Sequence, residues 1–288
     1  MNKKTLICIH VMPLEIEMFE RFMGYYANAL GYLDKDDDVT IRATLNLNPE
    51  LTDWDNSELK QDFFINKFAR LFNGVKNINE IVLDTSLWGT TQQKRESINL
   101  DYDQFIFCDT DIAIPPQLLK LQLIGSYKMD GMYIISPSIP KWWDDTWDII
   151  VNTELLKNNV SAFEESTFNS VFSQNPSSVN FKQISQIKFG CGMHTLYSKQ
   201  FWQFVGIPES FGGYGPEDTY GMTAGNIAIQ KGYDIKQYVL DGLYITEDYT
   251  NRIPSISDRV KPNDVKKTFY ERAQSFGRDE LIKFSNRI

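Results

Sequence analysis

The sequence predicts an α/β fold with a mostly parallel central sheet flanked by helices. Two observations predict it. Apolar runs of strand length alternate with longer segments of helical apolar spacing across the first half of the chain. Polar turns such as "DKDDD" at Asp34 to Asp38 separate them, and alternation of this kind is the pattern of βαβ units. The chain has 288 residues, 42% of them hydrophobic, which is enough to bury a sizeable core.

Each element has a local reason. Thr5 to Val11 is mostly apolar and reads as a buried strand, and Pro13 to Leu33 reads as an amphipathic helix with proline near its start, where a missing N–H costs little. Val39 to Leu47 alternates and reads as a second strand. Ser57 to Phe72 has a candidate N-cap followed by helical spacing. Ile78 to Asp84 is a third strand, Thr90 to Leu100 a short helix, and Gln104 to Ile112 a fourth strand. Pro115 to Ile124 is a helix opened by prolines, and Gly131 to Ile139 a fifth strand. The rhythm breaks over about 141–186, a Ser/Asn-rich stretch expected to be an insertion or lid. Regular structure resumes toward Ser198, with helices expected around Lys199 to Val205 and Thr219 to Lys231 and strands over Tyr233 to Asp248. Residues 1–250 are thus expected to form one domain, and 251–288 a C-terminal helical tail with a helix near 262–276.

The net charge of −9 argues against non-specific binding to nucleic acid or anionic membranes, which needs a basic surface, although a local basic groove stays compatible with it. Cys8, Cys108 and Cys191 form no CxxC pair, so a disulfide framework is not expected and a reducing compartment is. No segment approaches the ~20 apolar residues of a membrane helix, and the apolar run at the N-terminus is too short for a signal peptide. A soluble, cytoplasmic protein is the expectation.

Candidate chemistry begins at "FIFCDTDIAI", Phe105 to Ile114. Asp-x-Asp alone is uninformative, because it recurs at Asp34/Asp36, Asp36/Asp38, Asp53/Asp55 and Asp101/Asp103. Asp109 and Asp111 differ by ending a buried strand, and in parallel α/β sheets ligands bind beyond the carboxyl ends of strands. Carboxylates there must be paired, desolvated or metal-bound. Their hard oxygens suit Mn²⁺ or Mg²⁺ shared with substrate phosphates; a helix N-cap by Asp111 is the alternative. The second stretch is "GGYGPEDTYG", Gly212 to Gly221, where glycines allow close backbone approach and Glu217 and Asp218 open a helix. An acidic pair there is either a favourable partner of the helix dipole or a general base beside a substrate-binding acid.

A strand ending in Asp-x-Asp, followed some hundred residues later by "FGCGM…F…VGIPESFGGYGPED", resembles the GT-A fold glycosyltransferases. The later block is similar to the galactosyltransferase-type segment, and the resemblance spans about Thr5 to Asp248. It implies a nucleotide-diphospho-sugar transferase in which Asp109 and Asp111 hold Mn²⁺ or Mg²⁺ and the donor diphosphate. It implies Asp218 as catalytic base with Glu217 beside it, and Gly192, Tyr214 and Gly215 near the sugar and acceptor. Lys94 and Arg95 match the basic position facing the nucleotide in many relatives, with exposed helix charges as the alternative. The family often supplies a histidine as a further metal ligand after the last strand. Here "YITEDY" occupies that region, so either Glu247 or Asp248 substitutes or the metal has fewer protein ligands. The chain's two histidines lie elsewhere: His10, at the end of the first strand, is a candidate for the nucleotide side or a strand cap, and His194 is either structural or on the acceptor side.

The implied reaction moves a hexosyl or pentosyl group from a nucleotide-sugar donor, a UDP-sugar first among candidates, to an acceptor hydroxyl with inversion. The acceptor is left open between a glycan, a lipid-linked glycan, a protein and modified DNA. A phage-type enzyme acting on hydroxymethylated DNA bases would need a basic groove, for which Lys266 to Arg278 is the best segment. A non-catalytic carbohydrate-binding module is the alternative from another class. A nucleotidyltransferase is disfavoured, because no Gly-rich basic signature follows the first strand.

Overall fold

The computed structural model describes residues 2–11, 15–45, 61–76, 78–84, 89–139, 165–175, 179–188, 193–212, 216–248 and 277–288. Its centre is an eight-stranded mixed sheet ordered β3-β2-β1-β4-β8-β6-β9-β7. These strands are β1 (Thr5–Val11), β2 (Val39–Leu45), β3 (Glu80–Asp84), β4 (Gln104–Cys108), β6 (Met132–Ser138), β7 (Asn180–Ile184), β8 (His194–Ser198) and β9 (Ile235–Tyr244). The pairs β3–β2, β2–β1, β1–β4 and β6–β9 are parallel. β8 runs antiparallel between β4 and β6, and β7 antiparallel along β9. A two-residue pair, β5 (Ile112–Ala113) with β10 (Thr246–Glu247), sits beside the main sheet.

The expected α/β class with a mostly parallel sheet is the architecture observed, and the strand sequences explain its layering. β1 is apolar at five of its seven positions, all but Thr5 and His10, because both its faces are covered. Ile7, Ile9 and Val11 face one cluster with α1 (Ile16–Gly31), α2 (Gln61–Arg70) and α4 (Leu118–Ser126). Leu6 and Cys8 face the other, with residues of α6 (Lys199–Val205) and α7 (Glu217–Gln230). β4 divides the same way: Ile106 and Cys108 to the first side, Phe105 and Phe107 to the second. α7 lies close against its neighbours because it carries glycines there. A Cβ at Gly221 would stand 2.5 Å from the Trp202 ring, and one at Gly225 2.4 Å from Ile187.

Two boundaries differ from expectation. β7 lies inside the stretch read as an insertion, yet it is an edge strand of the main sheet. Its exposed, polar sequence "NFKQI" carries no strand periodicity. Within the same stretch, α5 (Glu165–Val171) packs against β10. The helix expected near 262–276 lies outside the described residues, but 277–287 is helical. It is part of the core: Phe284 is buried in the second cluster, and Arg287 donates to the Phe204 carbonyl at 2.8 Å. Phe284→Ala should therefore lower unfolding stability by about 3 kcal/mol, read from urea denaturation. A change under ~1 kcal/mol would mean that this helix contributes little to the fold.

Candidate active site

The site is built at the carboxyl ends of the parallel strands. β4 ends at Cys108, and the Asp109 N–H donates to the Met193 carbonyl (2.9 Å) just before β8. On the other side the Asp248 N–H donates to the Asp111 carbonyl (2.7 Å), continuing a ladder in which Glu247 pairs with Ile112. The Asp-x-Asp backbone is thereby held between β8 and β10. This brings "YITED" beside Asp111, although some 130 residues separate them in the chain.

The carboxylates have distinct environments. Asp109 is pushed up to about 7 by burial; Lys94 opposes the shift, while Asp111 and Glu217 add to it. Asp111 is raised by burial, with Asp248 adding. Glu247 is pushed up to about 8 by burial and then by Asp111 and Asp109. Asp248 is different: it is buried and paired with the Nε of Arg21 on α1 at 3.1 Å. Among the described residues no three Asp, Glu, His or Cys side chains converge into a ready-made metal cage. Asp109, Asp111 and Glu247 present only hard oxygens, the ligand type that a divalent cation takes, and Asp111 raises the proton affinity of Asp109, as both do that of Glu247. Of the two residues expected as substitutes for a histidine, Glu247 lies beside Asp111 and Asp109, while Asp248 pairs with Arg21.

Glu217 and Asp218 open α7, and α3 (Thr90–Ser97) separates their environments. Both oxygens of Glu217 are taken: Lys94 Nζ lies 2.5 Å from Oε1, and Thr91 Oγ1 donates to Oε2 at 2.8 Å. Lys94 and Glu217 form a buried ion pair, with the ammonium 5.2 Å from the Phe107 ring centroid. Asp218 is left half-buried, its Oδ1 accepting the Thr219 N–H at 2.7 Å. Burial pushes it up to about 6, with Glu217 adding and Lys94 opposing. Glu217 thus anchors the helix start, and of the two adjacent acids Asp218 is the one left able to take a proton.

Other expected site residues are placed differently. Arg95 was expected at the diphosphate, but its guanidinium donates to the carbonyls of Ile207 (3.1 Å), Pro208 (2.9 Å) and Gly212 (2.8 Å). It fastens the loop before α7, because consecutive helix positions point apart and Lys94 already takes the inward one. Lys94 faces the carboxylates but is buried against Glu217 rather than open to a nucleotide. His10 Nδ1 contacts Thr44 Oγ1 at 2.7 Å, and burial pushes the ring down to about 3, so it is neutral. His194 contacts the Tyr26 hydroxyl at 3.2 Å, fully buried and also pushed down to about 3. That is a core histidine. Gly192, Tyr214 and Gly215 lie outside the described residues. Sequence reasoning missed Thr91 and Arg21. Thr91 shares a helix face with Lys94, three residues on, and that spacing was the available signal; Arg21 had none.

No family model and no curated protein matches the sequence. Solved structures are similar in fold. S. aureus TarS 1–349 in complex with UDP matches at 10% identity and a TM-score of 0.48, over 99% of this chain and 71% of that one. The same protein with UDP-GlcNAc matches at 10% identity and 0.45, over 99% and 72%. A mycobacterial protein matches at 11% identity and 0.45, over 94% and 75%. The chain spans 36% of a longer TarS structure, with 84% of its own length covered.

Proposed function

We propose that this chain is a metal-dependent GT-A-type glycosyltransferase that moves a sugar from a nucleotide-diphosphate donor, a UDP-sugar first among candidates, to an acceptor hydroxyl with inversion. One observation carries the reading. Two acidic motifs about a hundred residues apart meet at one end of the sheet around a single buried cation, Lys94, whose charge acts on Asp109, Glu217 and Asp218 together. On one side, Asp109, Asp111 and Glu247 would hold Mn²⁺ or Mg²⁺. When bound, that ion neutralises charge developing on the leaving diphosphate. On the other side, Asp218 accepts the proton of the attacking hydroxyl. A base facing the acceptor, separate from the donor carboxylates, favours single displacement and hence inversion. Lys94 and Thr91 fix the start of α7, so Asp218 meets the acceptor with its backbone already ordered. The basic segment a DNA acceptor would require lies outside the described residues apart from its last two positions, so nothing favours that reading over a glycan, lipid-linked or protein acceptor.

The test is thermal shift with UDP-, GDP- and dTDP-sugars, with and without Mn²⁺, followed by assay of sugar-nucleotide hydrolysis. The pH dependence has a definite sign. The folded chain holds Asp109, Asp218 and Glu247 protonated to higher pH than the unfolded chain does. It therefore binds more protons, and without metal its stability should fall as pH rises from about 4 to about 8. Mn²⁺ takes the place of those protons, so its stabilising shift should be small near pH 5 and largest near pH 8. A chain that Mn²⁺ does not stabilise at either pH, and that hydrolyses no sugar nucleotide, would instead be a carbohydrate-binding module.

A further inference from the structure

We propose that Arg95 is a positioning residue for Asp218: it closes the loop before α7 and so sets where that helix begins. The inference rests on Asp218 being the base, as read above, and not on which ion the donor carboxylates hold. The loop runs from Gly206 to Gly212, and both glycines have positive φ, 78° and 65°, which turns the chain sharply at each end. Arg95 meets the loop at both ends. Its Nε donates to the Ile207 carbonyl, and its Nη2 to those of Pro208 and Gly212. One planar group thus ties the loop's entry to its exit. Within the loop, the Phe211 N–H donates to the Pro208 carbonyl at 3.2 Å and the Gly212 N–H to the Glu209 carbonyl at 2.9 Å, a single turn of 3₁₀ helix. A turn so short, with the poorer bond geometry of that helix, does not fix its own place. On its far side the loop reaches the C-terminal helix through an exposed bond from Ser210 Oγ to Glu280 Oε1 at 3.1 Å.

α3 therefore grips the chain on both sides of the start of α7. Lys94 holds Glu217, the first residue of the helix, and Arg95 holds Gly212, earlier in the chain. The two grips differ in what their loss leaves behind. Lys94 is 6% exposed, and without it a buried carboxylate loses its countercharge. Arg95 is only half-buried and serves neutral carbonyls, the last of them on exposed Gly212. Its loss is felt as a displaced loop and not as an unpaired buried charge. Packing carries that displacement to the base. Phe211 is buried with its ring edge-on to Tyr220 of α7, centroids 5.2 Å apart. The Tyr220 N–H in turn donates to the Pro216 carbonyl at 2.8 Å, the first bond of the helix, and Asp218 lies inside that turn. A base displaced by a fraction of an ångström costs rate and leaves donor binding intact.

Sugar-nucleotide hydrolysis, with water as acceptor, supplies the rate, using whichever of the UDP-, GDP- and dTDP-sugars the wild type turns over fastest. Arg95→Ala should lower kcat about 10- to 100-fold, with donor KM within about twofold of wild type. Arg95→Lys keeps the charge and loses the fork, so it should restore little of the rate. The double variant Arg95→Ala/Asp218→Asn should be no slower than Asp218→Asn, because both substitutions disable the same step. A merely structural role would multiply the two losses. Hydrogen exchange read by mass spectrometry checks the loop itself: peptides covering 207–212 should exchange faster in Arg95→Ala, and those covering β1 and β4 at the wild-type rate. The inference falls if Arg95→Ala keeps the wild-type kcat, if its loss lies in donor KM alone, or if loop exchange is unchanged. It falls equally if Arg95→Lys recovers the full rate, which would make charge near Glu209 the cause, or if the losses multiply. In each of those cases the functional reading stands. A wild type that hydrolyses no sugar nucleotide removes that reading, and the inference goes with it.

Discussion

Asp218→Asn is expected to reduce sugar transfer at least about 10³-fold while donor affinity stays within about twofold of wild type. The substitution is nearly isosteric. Asparagine Oδ1 can still accept the Thr219 N–H that now meets Asp218 at 2.7 Å, so the start of α7 keeps its geometry. What is lost is basicity. Asp218 is the carboxylate of the pair whose oxygens are not consumed by α3, because Lys94 and Thr91 take both oxygens of Glu217. Asp109 and Asp111 lie in the link between β4 and β5 and Glu247 on β10, so the proposed donor carboxylates and the proposed base stand on different elements. For the wild type, kcat/KM should rise with pH through about 6, the range to which burial and Glu217 push Asp218, because only the ionised form accepts a proton. The same assay settles stereochemistry. An α-linked donor should give a β-linked product by NMR. An α-linked product, or an Asp218→Asn variant within about tenfold of the wild-type rate, would remove Asp218 from the role of base.

The legible parts of the sequence were those where local pattern and burial coincide. β1 and β4 are buried on both faces, so their residues are mostly apolar without alternation, and both were readable. The end of β4 was readable as a site for the same reason, since two carboxylates there interrupt an otherwise buried strand. β7 was not readable, because a solvent-facing edge strand whose pattern is exposed at four of five positions has no hydrophobic period to show. The reversed direction of β8 was not readable either, because strand direction follows from pairing with β4 and β6 and not from the strand's own residues. The structure gathers Asp109, Asp111, Glu217, Asp218 and Glu247, all candidates from the sequence, at one end of the sheet, but the contacts each one makes there were not legible. Lys94 and Glu217 lie 123 residues apart, and a sequence does not say which of two adjacent acids a distant lysine will hold. Arg95 illustrates the same limit. One position from Lys94, with the same charge, it serves three carbonyls of a loop instead of an anion.

Lys94→Met is expected to be the most destabilising single substitution at the site, costing about 3–5 kcal/mol in urea denaturation. The side chains of Lys94 and Glu217 are 6% and 4% exposed. Removing the ammonium leaves the Glu217 carboxylate buried with only Thr91 as donor, and removes the cation that opposes the raised pKa of Asp109 and Asp218. The asymmetry between single and double substitution separates this account from simple loss of packing. A buried ion pair gains little net free energy over an apolar pair of similar volume, because desolvating two charges offsets most of their attraction. Lys94→Met/Glu217→Leu should therefore be clearly more stable than Lys94→Met alone. It should nevertheless transfer sugar poorly, because the start of α7 is no longer held and Asp218 loses its fixed approach to the acceptor. A double variant as unstable as the single would mean that Lys94 acts mainly through its packing on Phe107. A fully active double variant would mean that the ion pair serves stability alone and that α7 is positioned by Arg95 and the loop it fastens.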